Sequence, residues 1–270
     1  RKTNLKNNIG CTSIGNIMEN LFFCYVLSFQ TNDRVYCDAI DKWCSKDMEN
    51  VNKKDTIFRN INTTKINSQH KFNFYKLVDS NFNMLNYPNI KDVLEKGIHV
   101  IDTNVLWFVP NKYLDKIQKI FEPDKNNLKN IYSKYKKYLD RNTCSIHYRT
   151  FNKEFNTDIN KKQLISKSKS LINVINNHLK STDYFLVFSD DMIYTKEFIR
   201  NNFKQENFIF INERDYLDLW IMSLCKNNIG FSDSTFFKCA AILNKNKNKQ
   251  VSIIKRKNIN INHKDHSKYK

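Results

Sequence analysis

His147 and Arg149 have side chains that could hold an anionic ligand, and their spacing would place them side by side. They lie two residues apart in a short segment predicted to be a strand, so both side chains would point to the same face. A guanidinium binds phosphate through parallel hydrogen bonds, and open α/β sheets bind ligands at the carboxyl ends of their strands. A surface arginine and a packed strand histidine are the alternatives that these residues alone leave open.

Ser234 and Thr235 directly precede an apolar segment that is predicted to be a helix. Either hydroxyl can cap the helix, and the start of a helix also attracts phosphate. The sequence therefore predicts both roles for this pair.

Asp190 and Asp191 directly follow a continuously apolar segment. The chain contains no evident metal-binding D-x-D motif, and these two aspartates are the nearest candidate for one. No metal site is therefore predicted. Capping of the next helix is the simpler interpretation of the two carboxylates.

The segments that must position these residues alternate between strand and helix patterns. Residues 184–188 are continuously apolar, which is typical of a strand buried on both faces of a parallel sheet. Apolar residues between 164 and 179 recur on one helical face. The predicted strands are 144–148, 184–188, 208–211, 228–232 and 251–254, and the predicted helices are 131–139, 164–179, a stretch around Phe198 and Ile199, 215–224 and 236–243. This alternation predicts a Rossmann-like lobe.

The first half of the chain is less regular. Residues 17–29 predict an apolar helix entered through a tight turn at Gly15 and Asn16, and residues 113–121 predict an amphipathic helix. Residues 45–90 are polar and show no readable motif. The two halves divide between residues 125 and 140, and two α/β lobes with a ligand between them are the simplest architecture.

The charge and glycine content exclude several classes of protein. The formal net charge is +18, but residues 245–270 hold nine Lys or Arg against one Asp, so a large part of the excess lies in a terminal tail. This distribution does not favour a nucleic-acid partner and suits an anionic small ligand. With only 4 Gly, no G-x-G-x-x-G or Walker motif can be formed, which disfavours P-loop NTPases and ordinary NAD enzymes.

The 7 cysteines form no C-x-x-C motif and no spacing suited to zinc. Reduced, mostly buried thiols are expected, which favours the cytoplasm. The longest apolar run, residues 21–29, is too short to cross a bilayer, so no membrane span is predicted in this segment. The chain begins with Arg1 rather than Met, which leaves an upstream membrane anchor as an open alternative.

Several segments, in order from residue 13 to residue 244, match one set of motifs. Residues 13–22 (S-I-G-N-I-M-E-N-L-F) are similar to G-L-G-N-Q-M-F-Q, residues 145–149 (S-I-H-Y-R) to S-I-H-V-R-R-G-D-Y, and residues 187–191 to V-F-S-D-D. Residues 218–229 and 234–244 are similar to D-L-x-L-M-S-L-C-K-H-N-I and S-[ST]-F-S-W-W-A-A-x-L-N, and residues 107–123 to the stretch before the second lobe. Together these segments resemble the α-1,2-fucosyltransferases of glycosyltransferase family 11.

The resemblance implies an α/β, GT-B-like fold of two Rossmann-like lobes with the ligand cleft between them. The expected lobes are 1–135 on the acceptor side and 136–254 on the GDP-sugar side, with 255–270 as a basic, flexible tail. The implied reaction is inverting, metal-independent transfer of fucose from GDP-fucose to a glycan hydroxyl. GDP-fucose is the donor substrate and no cofactor is expected.

The resemblance also implies roles for individual residues. Arg149 is the catalytic residue that meets the departing diphosphate, and Asp218 accepts hydrogen bonds from guanine, with compensation of the helix dipole as its alternative role. The implied donor-binding residues are His147, Asp218, Ser234, Thr235, Phe236, Gly15 and Asn16.

The chain departs from the family pattern at three places, one of which is Phe151, Asn152 and Lys153 in place of its G-D-Y. Thr150 stands where the family has a second arginine, and Phe237, Lys238 and Cys239 replace its S-W-W. The departures keep two further hypotheses open, namely a GDP-sugar-binding module with weak or no catalysis and a transferase that uses another GDP-sugar.

Overall fold

The computed structural model describes residues 13–31, 35, 52, 55–61, 72–76, 98–102, 109–150 and 158–255. Outside these ranges lie Trp107 and Phe108, most of the polar segment 45–90, and the tail from residue 256. The described helices are α1 (Ile14–Thr31), α2 (Asn111–Ile120), α3 (Lys125–Leu139), α4 (Asp158–His178), α5 (Met192–Asn202), α6 (Asp215–Leu224) and α7 (Thr235–Leu243). The described strands are β1 (Phe72–Lys76), β2 (Ile98–Asp102), β3 (Thr143–Tyr148), β4 (Tyr184–Ser189), β5 (Phe208–Phe210), β6 (Asn227–Phe231) and β7 (Val251–Ile254).

The predicted alternation in the second half is confirmed. Strands β3 to β7 are all parallel and lie side by side in the order β5-β4-β3-β6-β7. The chain moves from β3 to β4 and β5 in one direction, and then β6 and β7 extend the sheet on the other side of β3. This is the strand order of a doubly wound sheet, and its topological switch point lies between β3 and β6.

The central strands of this sheet are buried because their apolar residues point to both faces. Four consecutive residues of β4, 185–188, are at most 1% exposed, as expected for a strand covered on both sides. The core on one face consists mainly of Cys144, Ile146 and Tyr148 of β3 with apolar residues of β4, β5, β6, β7, α4 and α5. Leu179, which the pattern assigned to α4, lies one residue beyond the helix and is exposed.

The described residues form two compact units. Unit 1 contains residues 1–136, 213–224 and 235–247, and unit 2 contains residues 137–212, 225–234 and 248–270. Unit 2 holds the five-stranded sheet with α4 and α5, whereas unit 1 holds α1, α2, α6, α7 and the parallel pair β1–β2. The lobe boundaries expected from the sequence stay a prediction.

Unit 1 is held together around α1, α2 and α7. The apolar face of α1 includes Ile17, Met18 and Phe22, each at most 1% exposed. The rings of Phe22 and Phe121 pack edge to face, with their centres 5.1 Å apart. The side-chain amide of Gln118 in α2 donates to the carbonyl oxygen of Ile242 at 2.8 Å, which links α2 to α7.

Gly15 does not form a tight turn, so this prediction is wrong. Gly15 and Asn16 are in the first turn of α1, and Gly15 packs against the start of α7. A Cβ atom on Gly15 would lie 2.6 Å from the backbone nitrogen of Phe236 and 2.7 Å from Oγ1 of Thr235. The glycine is needed because two helix starts approach each other closely.

The described cysteines Cys24, Cys144, Cys225 and Cys239 are not in disulfides, and the last three are buried. This agrees with the expected reduced thiols. Of the helices in the described ranges, none is both long and apolar enough to traverse a bilayer.

Replacing Gly15 by Ala is expected to destabilise the protein by about 1–3 kcal/mol, because the added methyl group overpacks a contact with backbone atoms that cannot move aside cheaply. Urea unfolding measures the change. Asn20→Ala on the same helix is the control and should change stability little. Equal stabilities of Gly15→Ala and the wild-type protein would show that the close approach of α1 and α7 is not present in solution.

Candidate active site

The candidate site in unit 2 lies at the carboxyl ends of β3, β4 and β6. Strands β3 and β6 are the neighbours at which the order of the sheet reverses, and such switch points are where doubly wound sheets bind ligands. We call the polar residues that gather here the strand-edge cluster, which consists of His147, Arg149, Thr150, Lys167, Asp190, Asp233 and Ser234.

His147 and Ser234 form the centre of the strand-edge cluster. Nδ1 of His147 lies 3.0 Å from Oγ of Ser234, so the ends of β3 and β6 are linked by a side-chain hydrogen bond. Two residues earlier in β3, Oγ of Ser145 accepts a hydrogen bond from the side-chain amide of Asn228 in β6 at 2.7 Å. Polar pairs therefore link β3 both to β6 and to the turn that follows β6.

His147 is buried and uncharged at neutral pH. Burial lowers the pKa of His147 from 6.5 to about 4. Asp190 and Asp233 act to raise this pKa, whereas Arg149 and Lys167 act to lower it, so ionic groups of both signs act on the imidazole. A neutral imidazole with one nitrogen bonded to Ser234 is suited to hydrogen bonding rather than to carrying charge.

Arg149 lies directly beyond β3, as predicted, and its side chain is 27% exposed. Its Nη1 forms an ion pair with Oδ2 of Asp190 at 3.4 Å. The other carboxylate oxygen of Asp190 accepts from the backbone N–H of Thr150 at 2.7 Å and from its hydroxyl at 3.1 Å. Asp190 therefore fixes the segment that carries the guanidinium and orients the guanidinium itself.

The capping interpretation of the two aspartates is confirmed for one of them. The Asp191 side chain accepts from the backbone N–H of Tyr194 and caps α5. Asp190 instead faces Arg149 and Thr150. Thr150 stands where the resembling motif has a second arginine. It is 4% exposed, and its hydroxyl donates to the carboxylate of Asp190.

Sequence reasoning missed the ion pair between Lys167 and Asp233. Nζ of Lys167 in α4 lies 2.8 Å from Oδ2 of Asp233, which is next to Ser234 in the chain. The signal was present, because a lysine stands in the apolar stripe of α4 between Leu164 and Leu171. A buried charge on such a stripe indicates a partner on a neighbouring element.

In unit 1, the structure brings together the four predicted donor-binding residues at the starts of α1 and α7. The Thr235 hydroxyl donates to Oδ1 of Asn16 at 2.9 Å, and Gly15 contacts Thr235 and the backbone of Phe236. Helix starts carry unsatisfied N–H groups and a positive partial charge. We call this arrangement the helix-start contact.

Beside the helix-start contact lies a second ion pair that the sequence did not reveal. Oε1 of Glu19 in α1 is 3.9 Å from Nζ of Lys238 in α7, and both side chains are largely buried. Glu19 stands in an otherwise apolar stripe of α1, which is the only local signal of this pair.

Asp218 lies in the first turn of α6, also in unit 1. Its Oδ1 accepts from the backbone N–H of Glu213 at 3.1 Å, a contact that closes the start of the helix. Burial raises the pKa of Asp218 to about 8, and the nearby Glu213 and Asp215 add to this effect, although the hydrogen bond from Glu213 opposes it. The observed contact is this hydrogen bond beside the helix start, and both the compensation of the helix dipole and the guanine contact stay predictions.

The described contacts thus place the predicted residues in three groups. His147, Arg149 and Ser234 belong to the strand-edge cluster, and Gly15, Asn16, Thr235 and Phe236 form the helix-start contact. Asp218 belongs to neither group by its described contacts. Within the described ranges, no three His, Cys, Asp or Glu side chains are grouped as a metal ion would require.

No protein-family model matches the chain, and no curated protein is significantly similar to its sequence. Solved structures match its fold. The selenomethionine form of the fucosyltransferase NodZ from Bradyrhizobium superposes with a TM-score of 0.52 at 11% identity, over 86% of this chain and 89% of that chain. NodZ α-1,6-fucosyltransferase soaked with GDP-fucose gives a TM-score of 0.51 at 11% identity, over 86% and 90%.

POFUT1 in complex with GDP matches over 54% of this chain with a TM-score of 0.38 at 13% identity. The chain spans about half of the POFUT1 chain, 50% of its length. The similarity to NodZ shows the fold. The chain has an α/β fold of the GT-B type with a parallel sheet, as the sequence predicted.

The stability of the protein is expected to fall between about pH 4 and about pH 8 through Asp218. In this window the folded protein keeps a proton that the unfolded chain releases, because the folded pKa lies above the unfolded value. In Asp218→Asn this contribution is absent, so the variant should gain stability relative to wild type as the pH rises. Urea unfolding across this range measures the difference.

Asp115→Asn, which removes an exposed carboxylate from α2, serves as the control for that experiment. A stability difference between Asp218→Asn and wild type that stays constant with pH would contradict the raised pKa.

Proposed function

We propose that the chain is a glycosyltransferase that moves fucose from GDP-fucose to a hydroxyl of a glycan acceptor. The proposal includes membership of glycosyltransferase family 11, α-1,2 linkage, inversion at the sugar carbon and no metal. The fold shared with NodZ and the motif resemblance support it. The observation that carries it is Arg149, which lies half-buried at the switch point of the sheet beside the His147–Ser234 pair.

In this proposal, Arg149 offsets the charge that develops on the diphosphate as the bond to fucose breaks. Charge-assisted hydrogen bonds from a guanidinium are roughly twice as strong as neutral ones. Asp190 holds the guanidinium in place before the ligand arrives, so less freedom is lost on binding. The Ser234 hydroxyl adds a donor to the same phosphate oxygens.

Asp218 would accept hydrogen bonds from N1–H and the amino group of guanine, and only the ionised carboxylate can accept both. With a pKa of about 8, the Asp218 carboxyl group is mostly protonated at neutral pH. Guanine binding through this residue therefore requires the loss of a proton.

A binding module without catalysis is the second candidate. Thr150 favours it, because its side chain is committed to Asp190 at the position where the resemblance has a second arginine. One cation fewer near the diphosphate weakens stabilisation of the leaving group.

The central experiment is a thermal-shift series with GDP, GDP-fucose, GDP-mannose and UDP, followed by a transfer assay with a panel of glycans. A nucleotide at about 100 times its Kd should add about 2.7 kcal/mol of stability. GDP and GDP-fucose are expected to stabilise the protein and UDP is not. Arg149→Ala should abolish both the shift and transfer, whereas Arg141→Ala, at an exposed site in the same unit, should leave both unchanged.

No shift with any guanine nucleotide would overturn the proposal. A shift with GDP-fucose but neither hydrolysis nor transfer would leave the binding module as the function. Transfer from GDP-mannose but not from GDP-fucose would show that the donor substrate carries a sugar other than fucose.

GDP affinity is expected to increase as the pH rises from about 6 to about 8, because a larger fraction of Asp218 is then ionised. Isothermal titration calorimetry in buffers of different ionisation enthalpy should show proton release on binding. Asp218→Asn should bind GDP weakly and release no proton. GDP affinity that does not change with pH would exclude Asp218 as the guanine acceptor.

A further inference from the structure

Lys167 is a buried cation in the apolar stripe of α4. Its side chain is 6% exposed, and Nζ lies 2.8 Å from Oδ2 of Asp233 and 5.1 Å from the centre of the Phe231 ring. An ammonium group taken out of water is stable only where a partner offsets the loss of hydration. Here the two partners lie at the end of β6 and in the turn that follows it.

This turn carries Ser234. The backbone N–H of Ser234 donates to the carbonyl oxygen of Phe231 at 3.1 Å, which closes the turn, and the hydroxyl meets His147. Oδ1 of Asp233 is buried and has no hydrogen-bond partner within the described ranges, so the contact with Lys167 is what fixes this carboxylate.

We propose that Lys167 is a positioning residue of the donor site, because its ion pair with Asp233 ties α4 to the turn and holds the Ser234 hydroxyl against His147. The inference rests on the proposed function, in which Ser234 contacts the diphosphate of the donor. Lys167 acts through Asp233 and Ser234 and touches no ligand itself.

The electrostatics of the strand-edge cluster support this link. Asp190 and Asp233 act to raise the pKa of His147, and Arg149 and Lys167 act to lower it. The Lys167–Asp233 pair is therefore close enough to affect the imidazole to which Ser234 is bonded.

The test compares Lys167→Met, Lys167→Arg and Lys169→Met in the full chain. Lys169 lies two residues along the same helix and is exposed, which makes it a matched control. Lys167→Met is expected to weaken GDP binding by about tenfold or more, whereas Lys169→Met should stay within about twofold of wild type. Lys167→Arg should recover most of the affinity because it keeps the charge and the hydrogen bond.

A double variant, Lys167→Met with Asp233→Asn, separates positioning from folding. It removes the charge of the partly buried Asp233 carboxylate that Lys167→Met leaves without its ion-pair partner, so its thermal stability should recover relative to Lys167→Met alone. GDP affinity should stay low, because α4 is no longer tied to the turn. Recovery of affinity together with stability, or affinity of Lys167→Met within about twofold of wild type, would overturn the proposal.

The ligand-free protein gives an independent measurement. The Nδ1 chemical shift of His147 reports its hydrogen bond to Ser234, and it should move toward the value of an unbonded nitrogen in Lys167→Met and in the double variant but not in Lys169→Met. An unchanged shift in Lys167→Met would overturn the positioning role even if GDP bound weakly. Absence of GDP binding by the wild-type protein would instead overturn the proposed function, and the chemical shift would still decide whether Lys167 positions Ser234.

Discussion

The hydrogen bond between the Ser234 hydroxyl and Nδ1 of His147 joins the ends of β3 and β6, where the order of the sheet reverses. Both groups are buried, so each would lose free energy without its partner. Burial favours the neutral imidazole, which bonds to the hydroxyl without a buried charge. The geometry of the strand edge, from Arg149 on one side to Asp233 on the other, is arranged around this uncharged pair.

Two ion pairs flank the histidine and differ in exposure. Arg149 remains partly exposed while bound to Asp190, so its guanidinium is oriented and can still reach a ligand. The Lys167 ammonium is enclosed, so its charge stabilises the protein's own turn. An exposed pair contributes little to stability, whereas a buried pair is strongly destabilising when one partner is removed. Loss of Lys167 should therefore destabilise the protein more than loss of Arg149, although both cations lie at the same edge of the sheet.

Two residues of unit 1 that differ from the resembling motif contact each other. Glu19 stands where the resembling motif has phenylalanine and Lys238 where it has tryptophan, and these two side chains form an ion pair between α1 and α7. Each of these two charges therefore has a partner of opposite sign in the interior. Thr150 also has partners for its polar groups, because its hydroxyl and its N–H group both donate to Asp190.

The sequence by itself determined the elements and the ends at which the polar residues lie. The bounds of α6 and β7 were predicted correctly and that of β3 to within one residue, because local sequence patterns depend on neighbours along the chain. Only the tertiary structure decided that β6 lies beside β3, which brings Ser234 to His147 across 87 residues. It also decided that Lys167 meets Asp233 and that Gly15 serves a close helix contact rather than a turn. Strand order and helix contacts follow from how whole elements bury their faces against one another, and that information does not reside in the spacing of any single segment.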